Sequence, residues 1–329
     1  MAALRNPRVI HRSARARIAS LAAVSIAALS ATTGAPQRAN AADTDVVVRE
    51  ATGKAAADIK PAIDEFRVDL GGGTTPGTNG SFGGQGREIN WDGVPDQFAS
   101  PNDMPPDFFN VNSPRGAVFS TPGIAFQLSA KAGLGVPVRF GNLNPLYTND
   151  FGAFSAERIF APIASTVTNI DFFLPGTKTK GVVKGFGAVF TDVDSAESSS
   201  IEAFGIDGSL LGKRYVTATP GSASFSFVGI SLPGVPRIAR VRITSGGLIL
   251  SDGLQDSAIA SRDKVAIDDL VYGEPVAAPS PLVAAPPLPT AVTNAVAATV
   301  APTTVVTTKP VTTKPISTSV KKARTTRKR

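Results

Sequence analysis

The sequence predicts an all-β fold: an antiparallel β-sandwich of jelly-roll type, with a short N-terminal helix and a disordered C-terminal tail. Three observations predict it. From Glu88 to about Pro275 the chain is a series of short apolar segments, several with a period of two, separated by clusters of Gly, Pro, Asn and Asp. No helical segment long enough to connect parallel strands lies between them. The 329 residues include no cysteine, so the core must cohere by burial alone. Closure of the same strands into a barrel is the structural alternative.

The first 41 residues read as a secretory leader. Arg5, Arg8, Arg12, Arg15 and Arg17 form a basic region, and Ile18 to Ala31 carries no charge. Ala39-Asn40-Ala41 then supplies a small-x-small cleavage pattern, placing the mature start at Ala42. The apolar stretch from Ile18 to Ala31 is 14 residues, shorter than the ~20 that a spanning helix needs. A secreted, periplasmic or cell-surface location is expected, with no transmembrane segment in the mature chain.

Residues 42–87 are expected to hold a short helix and a glycine-rich loop. Ile59, Ile63, Phe66 and Leu70 recur at helical spacing within Ala55 to Leu70, with Pro61 near the first turn. Gly71-Gly72-Gly73 stops this helix, and the Gly, Thr, Ser and Asn run through Gly86 reads as a mobile loop.

The sandwich itself is expected over residues 88–275. Ile124, Phe126 and Leu128 alternate with small or polar residues, as do Ile170, Phe172 and Leu174. Ala239, Val241 and Ile243 form a third such face, with the arginines beside them on one side. Val182 to Phe190 is almost continuously apolar or glycine, the pattern of a central strand covered on both faces. Ser200 to Ile206 and Leu210 to Val216 form a hairpin through Asp207-Gly208, because Asp-Gly accepts the positive φ of a tight turn. Ser224 to Ile230 and Lys264 to Tyr272 complete eight or nine strands. Residues 276–329 are Ala, Pro, Thr and Val with a basic end from Lys321 to Arg329, a composition that cannot bury a core.

Charge divides along the same boundaries. The leader region holds six arginines and the tail eight Lys or Arg, neither with an acid. Removing those 14 from the 33 basic residues leaves 19 against 26 acids, so residues 42–275 carry about −7 although the whole chain is +7. The basic balance therefore belongs to the ends, and no nucleic-acid-binding fold follows from it.

The only histidine is His11, inside the leader. A Ser-His-Asp triad, a Cys-His pair and a histidine-ligated zinc or iron site are excluded from the mature chain. What remains is oxygen chemistry. Asp192, Asp194 and Glu197 follow the central strand and are candidate ligands for calcium, with a solvated acidic loop as the plainer reading. Asp268 and Asp269 are further candidates. Val265, Ile267 and Val271 share a face under strict alternation, which would aim Asp269 inward with them, where an ionised carboxylate needs a partner. A bulge turning it outward is the alternative. The glycine-rich loop lacks the Lys-Ser/Thr ending of a phosphate cradle. Trp91, the single tryptophan, is expected in the core in preference to a ligand-stacking role.

Gly185-Phe186-Gly187-Ala188-Val189-Phe190-Thr191-Asp192-Val193-Asp194, the Asp207-Gly208 hairpin and Val265-Ala266-Ile267-Asp268-Asp269-Leu270-Val271-Tyr272-Gly273 together resemble the jelly-roll domains of exported bacterial proteins found with PEP-CTERM-type sorting tails. Sandwiches of this shape include carbohydrate-binding modules with a calcium near the last strand. The fold reading and the missing catalytic side chains lead to the expectation of a non-enzymatic β-sandwich that binds a glycan or other cell-envelope component such as an anionic polymer, and the resemblance adds calcium as the one candidate cofactor. It carries over no catalytic residue. Two other classes stay open: a carboxylate-based glycan hydrolase or lyase using Asp192, Asp194 or Glu202, and a purely structural surface protein.

Overall fold

The computed structural model describes residues 46–73, 78–251, 256–257 and 262–278. The predicted leader, and the predicted tail from residue 279 onward, lie outside these residues. In chain order the elements are β1 (Val47–Gly53), α1 (Ala56–Asp69), β2 (Gly86–Ile89), α2 (Phe108–Val111), β3 (Ala117–Ser120), β4 (Ala125–Leu128), α3 (Tyr147–Asp150), β5 (Phe160–Ile163), β6 (Val167–Phe172), β7 (Gly181–Val182), β8 (Gly185–Thr191), β9 (Ser200–Phe204), β10 (Leu210–Tyr215), β11 (Phe225–Ser231), β12 (Arg240–Thr244), β13 (Ala266–Gly273) and β14 (Val276–Ala277).

The strands form a sandwich. A seven-stranded sheet runs β1-β11-β8-β13-β5-β4, with β2 also on β13, and a five-stranded sheet runs β10-β9-β12-β6-β3. From β8 onward the chain changes sheets repeatedly: β9 and β10 lie in the smaller sheet, β11 in the larger, β12 in the smaller and β13 in the larger. One apolar core joins them. Phe186, Ala188, Phe190, Val228 and Ile230 face it from the larger sheet; Ile170, Phe172, Ile201, Val241 and Ile243 face it from the smaller. Trp91 is buried there, stacked on Phe160 with centroids 4.5 Å apart, and its indole N–H donates to the Asp268 carbonyl at 2.7 Å. The core role expected for it holds.

The predicted alternation holds at β6 and β12: Asn169, Asp171, Arg240 and Arg242 point outward, while Ile170, Phe172, Val241 and Ile243 are buried. β8 is buried at every position, as a strand covered on both faces should be. Its second cover is α1. Ile59, Ile63, Phe66 and Leu70 pack against Val189, Phe225, Phe227 and Val271 on the side of the larger sheet away from the sandwich core. Gly187 and Gly229 are register partners at the centre of this contact. A Cβ on Gly229 would lie 2.7 Å from the Phe66 ring, and one on Gly187 would lie 2.9 Å from the Phe227 ring and 3.0 Å from Phe66. The absence of side chains here lets an aromatic ring sit directly on the strands. Arg49 of β1 donates to Asp69 at 2.7 and 3.0 Å and ties the helix end to the sheet edge.

Several elements differ from the sequence reading. β1 precedes the helix and pairs with β11 over its full length, in a segment where Arg, Glu and Thr mask strand character. Ile124, expected inward, is 80% exposed because β4 starts after it, whereas Phe126 and Leu128 are buried as expected. The glycine-rich segment, expected to be mobile, is pinned in its described part. Buried Arg87 donates to the carbonyls of Thr78, at 2.8 Å, and Gly80, and pairs with buried Glu274 at 3.1 Å; Glu274 in turn accepts from the Phe82 N–H. β14, just past the expected end of the sandwich, pairs with β7.

Strict alternation in the last strand is also corrected. The register of β13 shifts between Ile267 and Leu270. The extra residue changes the phase, so Ile267, Leu270 and Tyr272 face the sandwich core while Val271 faces the helix. The bulge does not turn the acids to solvent: Asp268 and Asp269 are both buried.

Removing the ring that occupies the glycine seat should cost about 3–5 kcal/mol. Phe66→Ala is expected to lower the urea midpoint with an unchanged slope, and Gly187→Val to lower it by overpacking the same seat. A Gly187→Val protein as stable as the parent would contradict this packing.

Candidate functional site

The outer face of the five-stranded sheet carries an ordered array of polar side chains. Because side chains alternate along each strand, β6 presents Asn169 and Asp171, β9 presents Glu202 and Phe204, and β12 presents Arg240 and Arg242. Strand register turns these into rows. Arg240 lies between Asp171 and Phe204; Arg242 lies between Asn169 and Glu202, with Lys213 of β10 beyond.

The contacts follow the rows. Arg240 donates two hydrogen bonds to Asp171, at 3.1 and 2.9 Å, and Lys180 reaches the same carboxylate at 3.2 Å. Arg242 donates to Asn169 at 3.1 Å and lies 3.6 Å from Glu202, which also holds Lys213 at 3.1 Å. Two rings sit among these charges: Arg242 lies over Phe204, and Lys213 lies 4.7 Å from the Tyr215 centroid. A cleft of about 430 Å³ opens here, lined by Asp171, Lys180, Phe204, Arg240 and Arg242. Four cations against two carboxylates leave this face positive on a body that is net negative. Exposed ion pairs of this kind add little to stability, and their donors remain open to a ligand.

A second cluster lies past the end of β8. Asp192, Asp194 and Asp256 each offer an oxygen within 4.8 Å of the others. Asp192 is 1% exposed, and neither carboxylate oxygen has a hydrogen-bond partner. Burial, and then the nearby Asp256, Asp194, Asp150 and Asp263, push it up to about 9. The cluster is built on a fixed loop. Buried Asp263 accepts from the N–H groups of Asp194 and Ser195, at 3.2 and 3.1 Å, and from the Ser198 hydroxyl. Asp194 accepts from the Gly221 N–H at 2.6 Å, and Asp256 from the Lys264 N–H at 2.8 Å.

Of the residues singled out in the sequence, Asp192 and Asp194 are brought together. Glu197 is exposed and stands outside the cluster. Asp256, absent from the sequence reading, takes its place; it is 62 residues from Asp194, and no local spacing signals it. Glu202 belongs to the outer sheet face, where it pairs with Lys213 and Arg242.

Asp268 and Asp269 form a separate knot in the β13 bulge. Asp268 accepts from the Phe154 N–H at 2.6 Å, Asp269 from the Ser155 hydroxyl at 2.7 Å, and the two carboxyl groups hydrogen-bond each other. Here the partners are the protein's own. Burial raises both, Asp269 to about 6 and Asp268 well above the ordinary carboxylate range, where the charge of Asp269 adds to the effect.

No family model matches the chain, and no curated protein matches it. Among solved structures it is similar to a glycoside hydrolase family 43 arabinoxylan arabinofuranohydrolase from Bacillus subtilis in complex with cellotetraose, at 12% identity and a TM-score of 0.24, over 49% of this chain and 27% of that one. It thus spans about a quarter of the hydrolase. It is also similar to a mutant family 29 carbohydrate-binding module, at 11% identity and a TM-score of 0.21, over 48% of this chain and 92% of the module. A second mutant of that module, complexed with mannohexaose, matches at 11% identity and a TM-score of 0.21, over 46% and 92%. Likenesses of this size assign no function.

Asp268 and Asp269 bind their protons more tightly in the folded chain than in the unfolded one. Their contribution to stability is therefore complete below about pH 4 and is lost as pH rises through the folded values: to about 6 for Asp269, and higher for Asp268. Asp268→Asn keeps a neutral group in place and should flatten stability against pH between 4 and 8 relative to the parent. Parallel parent and variant curves in urea unfolding across that range would refute the assignment.

Proposed function

We propose that this protein is a non-enzymatic β-sandwich that binds an anionic glycan of the cell envelope across the outer face of its five-stranded sheet. The observation that carries this reading is the pair of rows centred on Arg240 and Arg242, with Phe204 and Tyr215 set among the charges. A guanidinium presents a planar fork of donors that matches a carboxylate or sulfate group. Asn169, Asp171 and Glu202 supply acceptors for sugar hydroxyls, and an aromatic ring offers a flat apolar surface to the C–H face of a pyranose. Calcium is proposed as the only cofactor.

An exported location fits this ligand class, and the basic tail would add attraction to an anionic polymer that weakens with salt. The absence of histidine and cysteine from residues 42–329 supports binding over catalysis. A hydrolase would need two carboxylates flanking one bond, and the unpaired acid Asp192 is buried.

Calorimetry with polygalacturonate and with a neutral glucan tests the reading. Binding to the acidic polymer is expected, weakened about tenfold or more by Arg240→Ala with Arg242→Ala, and weakened again by raising salt. Equal affinity for the two polymers, or full affinity in the double variant, would count against it.

A further inference from the structure

The cluster past β8 has a feature that hydrogen bonding inside the protein leaves unexplained. A buried carboxylate ordinarily accepts at least one hydrogen bond, and burying one without a partner is costly. Asp192 is 1% exposed and accepts none on either oxygen. Its side chain is directed at two further carboxylates, Asp194 and Asp256, with all three ligand oxygens within 4.8 Å of one another. Nearby N–H groups are committed elsewhere: those of Asp194 and Ser195 go to Asp263, and those of Gly221 and Lys264 go to Asp194 and Asp256.

The nearby ammonium group of Lys264 does not fill the gap. Lys264 is buried, its amine has no hydrogen-bond partner, and it lies 4.6 Å from the Tyr147 ring centroid. Its charge acts on Asp256 and Asp150.

We propose that Asp192, Asp194 and Asp256 bind a calcium ion that clamps the loop after β8 to the segment leading into β13. Calcium holds oxygen ligands at about 2.3–2.6 Å, so any two of its ligands stand at most about 5 Å apart, and three oxygens within 4.8 Å of one another can share one ion. Magnesium holds a stricter octahedron and is usually bound through one or two carboxylates with several retained waters, so a site of three carboxylates favours calcium. All three groups are carboxylates, so the site is hard and does not favour soft metals. The ion joins parts of the chain more than 60 residues apart, and so acts as a cross-link in a protein without disulfides. Glycan recognition on the other sheet does not enter this argument.

The test uses the full chain, stripped with EDTA and titrated with calcium chloride or magnesium chloride, followed by calorimetry and thermal melting. One calcium per chain is expected, raising Tm by about 5 °C or more when calcium exceeds Kd a hundredfold. Asp192→Asn and Asp256→Asn should each weaken calcium binding roughly tenfold or more, and Glu197→Gln should bind like the parent. Terbium luminescence quenched by added calcium reads the unsubstituted site directly, so the test does not depend on how well the variants fold. Neither heat nor a Tm shift in the parent would overturn the proposal. So would undiminished binding in Asp192→Asn and Asp256→Asn, or a preference for magnesium.

Discussion

The structure depends on covering β8, β11 and β13 on both faces. On one side they meet the five-stranded sheet; on the other they meet α1 and, around β13, Phe140, Tyr147 and Phe151 in and beside α3. With no cysteine in the chain, this double burial supplies the cohesion that disulfides give many exported domains. Gly187 and Gly229 make it possible, because the Phe66 ring occupies the space their side chains would need.

That layered arrangement also decides where chemistry can occur. The outer face of the seven-stranded sheet is covered in its middle by α1, whereas the face of the smaller sheet that carries Asn169, Asp171, Glu202, Phe204, Arg240 and Arg242 opens to solvent. The polar rows proposed to bind glycan sit on that open face, where each carboxylate is already shared among cations and each cation keeps free donors. The carboxylates in the interior behave differently. Asp268 and Asp269 satisfy each other and the loop at Phe154 and Ser155, so the bulge that buries them also supplies their partners. Asp192 at the end of β8 has no such supply.

The readable part of the sequence was the part governed by local periodicity. Alternation over β6 and β12, the fully apolar β8, the Asp207-Gly208 hairpin and the helical spacing from Ile59 to Leu70 each follow from side-chain geometry within a few residues. What escaped depends on distant neighbours. β1 is a strand because β11 offers it an edge, despite its polar composition. The phase of β13 changes at a bulge set by pairing with β8, which moved Val271 to the helix side. At the acidic cluster, spacing linked Asp192 with Asp194 and added Glu197, while Asp256 arrived from a remote segment. The arginine rows were half visible: the outward side of β12 could be read, but Asp171, Glu202 and Phe204 were joined to it only by register.

Native-state hydrogen exchange of backbone amides tests the central claim most directly. If double burial of the middle of the larger sheet holds the fold together, amides of β8, β11 and β13 should exchange only by global unfolding, while those of β10, an edge strand of the smaller sheet, exchange faster through local opening. Exchange in β8 and β11 as fast as in β10 would contradict the account.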